Sequence, residues 1–190
     1  GEINTIRGNV NKMKSKEALF QNSRYSKEDL KKLLPITNPE YSDSANLDAL
    51  VEMLVLSGRT LPHVMMMLVP EAWQDNRLMD PQRKAFYKYH ASMMEPWDGP
   101  AALVFTDGKR VGATLDRNGL RPLRYYITRC GRVILSSEAG SLPVEPKSIV
   151  EKGRITPGKM MMVDLEKGKV FGDDIVKRMA YEGKSYYKWI

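Results

Sequence analysis

The sequence predicts an α+β fold, with helices in its first half and mainly antiparallel strands in its second. Three observations carry this. Leu47, Leu50, Val51, Leu54 and Val55 recur at helical spacing and make one apolar face. From Gly99 onward the hydrophobic period shortens, and Gly-containing turns punctuate strand-length runs. The apolar runs at 101–105 and 160–163 alternate poorly, as strands covered on both faces do. Together they fit an αββα layered sandwich.

The opening stretch, 1–41, is poor in large apolar residues and rich in asparagine, which reads as a loop with one short helix over 11–20. A second short helix is predicted at 27–34, with Ser26 as N-cap, before Pro35 and Pro39 break the chain. Ser42–Asp43–Ser44 is a helix-start signal for the apolar face described above, and Gly58 supplies its stop. Pro62 and Pro81 each suit a first helical turn, one helix carrying His63 to Leu68 and the next Phe86, Tyr87, Tyr89, His90 and Met93. Three hairpins follow. They turn at Asp107–Gly108, Cys130–Gly131 and Glu166–Lys167–Gly168, with strands over 101–106 and 110–115, 123–128 and 132–137, and 159–164 and 169–171. A last short helix is predicted over Asp173–Tyr181.

Composition narrows the function classes. The 190 residues are enough for one domain with a sizeable core, and 42% hydrophobic with 28% charged residues is globular rather than disordered. No apolar run reaches the ~20 residues of a membrane helix, and residues 1–20 are too charged for a signal peptide. The net charge of +7 raises nucleic acid as a partner, but the charges are scattered and accompany no recognised motif, so neither nucleic acid nor membrane is expected. The single cysteine, Cys130, excludes an internal disulfide and predicts a reducing intracellular setting, leaving cytoplasm or plastid open. One Cys with two distant histidines, His63 and His90, argues against a metal site. Gly1 rather than Met opens the sequence, so residues before it are expected.

Several residues have ordinary structural readings. The triplets Met65–Met66–Met67 and Met160–Met161–Met162 are expected in the core. Trp73 and Trp97 sit beside prolines and read as loop anchors, and His90 reads as structural. Ser137 or Glu138 is a candidate to line a pocket, but the two make no catalytic dyad without a base. The run Asp116, Arg117, Asn118, Gly119, Arg121, Pro122 predicts a turn with positive φ at Asn118 or Gly119, and a buried ion pair between Asp116 and Arg121 across it. Asp43, on its own physics, is a helix-start residue favoured by the macrodipole.

Long segments, in order, resemble the class II glutamine amidotransferase domain of glutamate synthases. They are GEINTIRGNVN at 1–11, SDSANLDALVEMLVLSGRTLP at 42–62, PEAWQ at 70–74, MDPQRKAFYKY at 79–89, MEPWDGPAALVFTDG at 94–108, GATLDRNGLRPLRYY at 112–126, SSEAGSLPV at 136–144 and KGRITPGKMMMVD at 152–164. The resemblance implies an N-terminal-nucleophile hydrolase fold whose nucleophile is an amino-terminal cysteine. Its thiolate attacks the glutamine amide, and its own α-amino group can act as base. Ammonia then passes to a second site that makes glutamate from 2-oxoglutarate, with FMN and an iron–sulfur cluster. The resemblance places Gly1 beside the oxyanion-binding Asn that would precede it, and Asp43 where a carboxylate holds the α-ammonium of L-glutamine. It also implies that residues 1–175 are the later part of the amidotransferase domain and that 176–190 begin a linker toward the next, FMN-bearing synthase domain.

The nucleophile, the preceding Asn and the Arg that holds the glutamine carboxylate all lie outside these 190 residues. Cys130, within a hairpin turn and without a free α-amino group, cannot replace the nucleophile. The 190 residues alone are therefore expected not to hydrolyse glutamine, and no Gly-rich dinucleotide fingerprint is present. The alternative is a non-catalytic amidotransferase-like module that binds a partner or glutamine.

Overall fold

The computed structural model describes all 190 residues. Six helices are present: α1 (Ile6–Glu17), α2 (Lys27–Lys31), α3 (Asp43–Leu56), α4 (Leu61–Leu68), α5 (Pro81–Ala91) and α6 (Asp173–Tyr181). The seven strands are β1 (Ala102–Thr106), β2 (Arg110–Leu115), β3 (Arg124–Thr128), β4 (Val133–Ser136), β5 (Ile149–Arg154), β6 (Met160–Asp164) and β7 (Lys169–Phe171). The α+β class stands. No helix is long and apolar enough to cross a membrane.

All strand pairs are antiparallel and form two sheets, ordered β1-β2-β6-β7 and β4-β3-β5. The predicted hairpins β1–β2, β3–β4 and β6–β7 are all formed. The pleat of β6 splits its methionines between two cores. Met160 and Met162 join Leu50, Leu54, Val64, Leu68, Phe86 and Val176 under the helices. Met161 faces the other way, against Ala113, Leu115, Leu123 and Ile155, with Tyr125, Ile127, Val133 and Leu135 of the second sheet packed on them. The four-stranded sheet therefore lies between the helices and the three-stranded sheet. Burying each such side chain contributes about 1.5–3 kcal/mol before the entropy of ordering is set against it.

Four expectations change. Helix α1 begins at Ile6, earlier than 11, because Asn9 is a buried bracing residue rather than a loop residue. Its amide donates to Pro96 O at 3.1 Å and its carbonyl accepts from the Thr5 hydroxyl at 2.7 Å. Helix α2 ends at Lys31, three residues short, although Ser26 caps it as predicted by accepting from Asp29 N. Strand β1 is not covered on both faces: it is a sheet edge, and Val104 is 60% exposed. Strand β5 went unforeseen, since its polar, exposed residues carry no alternating pattern and it exists through pairing with β3.

Helix α6 runs across residue 175, and Val176, Ala180 and Tyr181 beyond that point are buried in the main core together with Tyr186.

Candidate active site

Helix α3 starts where Ser42, extended at ψ 161°, turns its hydroxyl to accept from Ala45 N at 3.2 Å. This sets Asp43 in the first helical turn, where the macrodipole favours its charge. Its Oδ2 accepts from the backbone N–H of Ile3 at 2.7 Å, and its Oδ1 has no hydrogen bond within the chain. Asp43 thus holds the segment that contains Gly1, which lies two positions before the bonded amide.

Residues 98–101 form a rail beside that segment. Glu2 N donates to Pro100 O at 3.2 Å, Thr5 N to Asp98 O at 3.3 Å, and Asp98 N to the Thr5 hydroxyl at 3.0 Å. A side chain at Gly99 would collide with Glu2 O, so glycine is required there for close backbone approach. Gly1 lies at the end of the rail, where an added Cβ would sit 3.2 Å from the Cβ of Ala101.

The rail is fixed in turn by Asp116. Its Oδ1 accepts from Ala101 N at 3.1 Å, and its Oδ2 accepts from Asn118 N at 2.9 Å and Gly119 N at 3.0 Å. The ion pair expected with Arg121 does not form. Arg121 is exposed, and the buried carboxylate is satisfied by backbone N–H groups instead. The positive φ falls at Gly119 (60°), where a side chain would also meet Pro157. Arg117, rather than Arg121, makes an ion pair, with Asp98 at 2.6 Å.

Behind this turn lies a buried charge network with no clear sequence signal. Lys177, 2% exposed, donates to Glu71 Oε1 at 2.9 Å, Asp173 Oδ1 at 2.8 Å and Gly158 O at 2.6 Å. Gly158 N donates to Asp116 O at 2.9 Å, which joins the network to the rail. Lys159 and Arg83 add further positive charge around Asp173, Asp174 and Glu71. Burial and the adjacent Glu71 carboxylate, to which its hydroxyl donates at 2.8 Å, push the Tyr87 phenol well up.

His63 and His90 lie 27 positions apart in the sequence. Helices α4 and α5 bring them together in the core, Nε2 to Nε2 at 2.9 Å. Two imidazoles do not make a metal site without further ligands, and no group of three or more such residues exists in the structure. Trp97 is buried and its backbone N–H donates to Leu68 O at 2.7 Å, while Trp73 stacks on Tyr87 with ring centroids 6.1 Å apart. The adjoining cleft is about 70 Å³, well below the ~300 Å³ of ordinary ligand sites. Ser137 and Glu138 are exposed in the loop after β4 and share no hydrogen bond with Gly1 or Asp43. Cys130 is exposed in the turn between β3 and β4, where the Thr128 hydroxyl, 3.2 Å away, lowers its pKa.

The family model for class II glutamine amidotransferases matches residues 1–189. The chain belongs to that family. It is 50% identical over 190 residues to the glutamate synthase [NADPH] large chain of Bacillus subtilis. It is 48% identical over 193 residues to the ferredoxin-dependent glutamate synthase of an Antithamnion species, and 44% identical over 191 residues to the glutamate synthase [NADH] of Schizosaccharomyces pombe. Each match covers 100% of this chain but only 12%, 12% and 9% of the respective relative. This amidotransferase segment therefore spans about an eighth or less of the relatives' length.

Proposed function

We propose that these residues form part of the glutaminase site of a glutamate synthase, in which L-glutamine is hydrolysed and its ammonia is passed to 2-oxoglutarate. The observation that carries this is the hydrogen bond between Asp43 and Ile3 N. It sets a carboxylate with one unused oxygen beside the segment that begins at Gly1. An ionised carboxylate makes a strong charge-assisted bond to an ammonium, so Asp43 holds the α-amino group of glutamine. The Gly1 backbone lies against the reacting amide carbon, next to the oxyanion donor that precedes it.

In the chemistry this supports, a cysteine thiolate outside the 190 residues attacks the side-chain amide carbon. The tetrahedral intermediate carries its negative charge on the former carbonyl oxygen, where preorganised N–H donors stabilise it. The C–N bond breaks, ammonia leaves with a transferred proton, and water hydrolyses the thioester to glutamate. FMN and an iron–sulfur cluster belong to the complete synthase. The residues here do not fit the cluster, which needs several thiolates where this sequence has one cysteine. We place the exit toward the following domain after Tyr186 rather than at 176, because Val176, Ala180, Tyr181 and Tyr186 complete the core.

The test is ammonia release from glutamine by a longer protein that contains this segment and an upstream amino-terminal cysteine. Turnover that a diazoketone glutamine analogue abolishes, one alkyl group per chain, supports the reading. No glutamine turnover, with glutamine still bound, would favour a binding module instead.

A further inference from the structure

We infer that Asp116 is a positioning residue for glutamine hydrolysis: through residues 98–101 it holds the Gly1–Ile3 backbone, and with it the position of the oxyanion donor that precedes Gly1. This rests on the glutaminase reading of Gly1 and Asp43. Asp116 is 2% exposed and pairs with no cation. A buried carboxylate is costly unless it is fully hydrogen-bonded, so its place is set by the three backbone N–H groups that point at it.

The backbone of Asp116 is equally engaged. Its N–H donates to Ala101 O at 3.0 Å, and its carbonyl accepts from Gly119 N at 3.0 Å and Gly158 N at 2.9 Å. Ala101 is thus held by both the main chain and the side chain of one residue. Movement of Ala101 reaches the segment through its neighbour Pro100, whose carbonyl accepts from Glu2 N, and there is little space beside Gly1, where an added Cβ would sit 3.2 Å from the Ala101 Cβ. The Gly1–Ile3 segment consequently lies between two carboxylates with separate tasks. Asp43 fixes its Ile3 end and keeps an oxygen for substrate, whereas Asp116 fixes its Gly1 end and touches no substrate.

A carboxylate suits this position because it only accepts. In Asp116→Asn the amide oxygen can serve Asn118 and Gly119, but the NH2 group then faces Ala101 N–H and repels it. The rail shifts, and with it the oxyanion position. A misplacement of this kind lowers turnover without weakening the grip of Asp43 on the substrate ammonium.

The experiment uses the longer, nucleophile-bearing protein, with active sites counted by alkylation with a diazoketone glutamine analogue. For Asp116→Asn, glutamine kcat per counted site should fall by about 10- to 100-fold, with KM within about 3-fold of wild type and ammonia-dependent glutamate formation retained. Gly99→Ala leaves the carboxylate in place and pushes on Glu2 O and Ile3 Cα from the rail itself, so its kcat per counted site should fall as well, and that fall decides the matter if Asp116→Asn does not fold. Unchanged kcat per counted site, with only fewer sites, would overturn the inference and leave Asp116 as a fold residue. A rise in KM at constant kcat would overturn it too. A wild-type protein with no glutamine turnover would instead overturn the glutaminase reading on which it rests.

Discussion

His63 and His90 share one hydrogen bond, Nε2 to Nε2 at 2.9 Å, inside the core between α4 and α5. His90 Nδ1 lies 2.8 Å from Phe86 O, a carbonyl that can only accept, so His90 is protonated at Nδ1 and its Nε2 accepts from His63. The pair is neutral. Burial, the neighbouring imidazole and the charges of Lys184 and Arg59 hold His63 down to about 3. Burial first, then Arg59 and Lys184, hold His90 down to about 4, against the upward pull of Phe86 O.

The sign of the resulting pH dependence is fixed by these directions. Both histidines take up protons near 6.5 when unfolded and only near 3 and 4 when folded. Their stabilising contribution is full above pH 6.5 and is lost as pH falls from there toward 4 for His90 and toward 3 for His63. At pH 5 the loss should be about 2 kcal/mol per histidine. Urea denaturation at pH 7.5, 6 and 5 measures it, and a His63→Gln/His90→Gln variant should lose most of that slope. An equal slope in the variant would assign the acid sensitivity to other groups.

Lys177 is the single ammonium shared by Glu71, Asp173 and Gly158 O. Lys177→Met should destabilise the protein by about 3 kcal/mol, since it leaves buried carboxylates undercompensated. Adding Glu71→Gln should recover part of that loss by removing one of those charges. A single-variant effect below about 0.5 kcal/mol, the level of ordinary surface substitutions, would mean that Arg83 and Lys159 alone compensate the two acids.

Residues 1–190 as a separate polypeptide should release no ammonia from glutamine, and Cys130→Ala should change nothing. Cys130 is exposed in a turn, and its lowered pKa comes from the Thr128 hydroxyl rather than from a glutamine site. Ammonia release above buffer that Cys130→Ala abolishes would make Cys130 a nucleophile after all.

What was legible in the sequence was local. The turn at Asp107–Gly108 and the Ser42 cap each act within a few residues, so hairpin β1–β2 and the start of α3 could be placed from neighbours alone. What depended on distant partners was not. Asn9 resembles a loop residue until Pro96 O, 87 positions later, accepts its amide. Strand β5 has no apolar alternation of its own and forms on β3. For Asp116, a Coulomb argument favoured the nearby Arg121, whereas the fold answered the carboxylate with backbone N–H groups from its own turn and from Ala101. The roles of Asp43 and Gly1 came from the resemblance; on its own physics Asp43 is a helix-start residue, and its hold on Ile3 N joins residues 40 positions apart.

The kinetics of Asp43→Asn with two nitrogen donors, in the longer nucleophile-bearing protein, measure the glutaminase assignment most directly. Asn keeps the size of the side chain and an oxygen for Ile3 N, so the melting temperature should hold, with folding changed by less than ~1 kcal/mol. The negative charge that faces the glutamine ammonium is lost. Removing one partner of a desolvated charge pair costs about 2–5 kcal/mol, so glutamine kcat/KM should fall by about 30-fold or more. Glutamate synthesis from free ammonia, which carries no α-amino group, should be retained. Equal losses with both donors, or no loss with glutamine, would contradict the assignment and leave Asp43 as the first residue of α3 and nothing more.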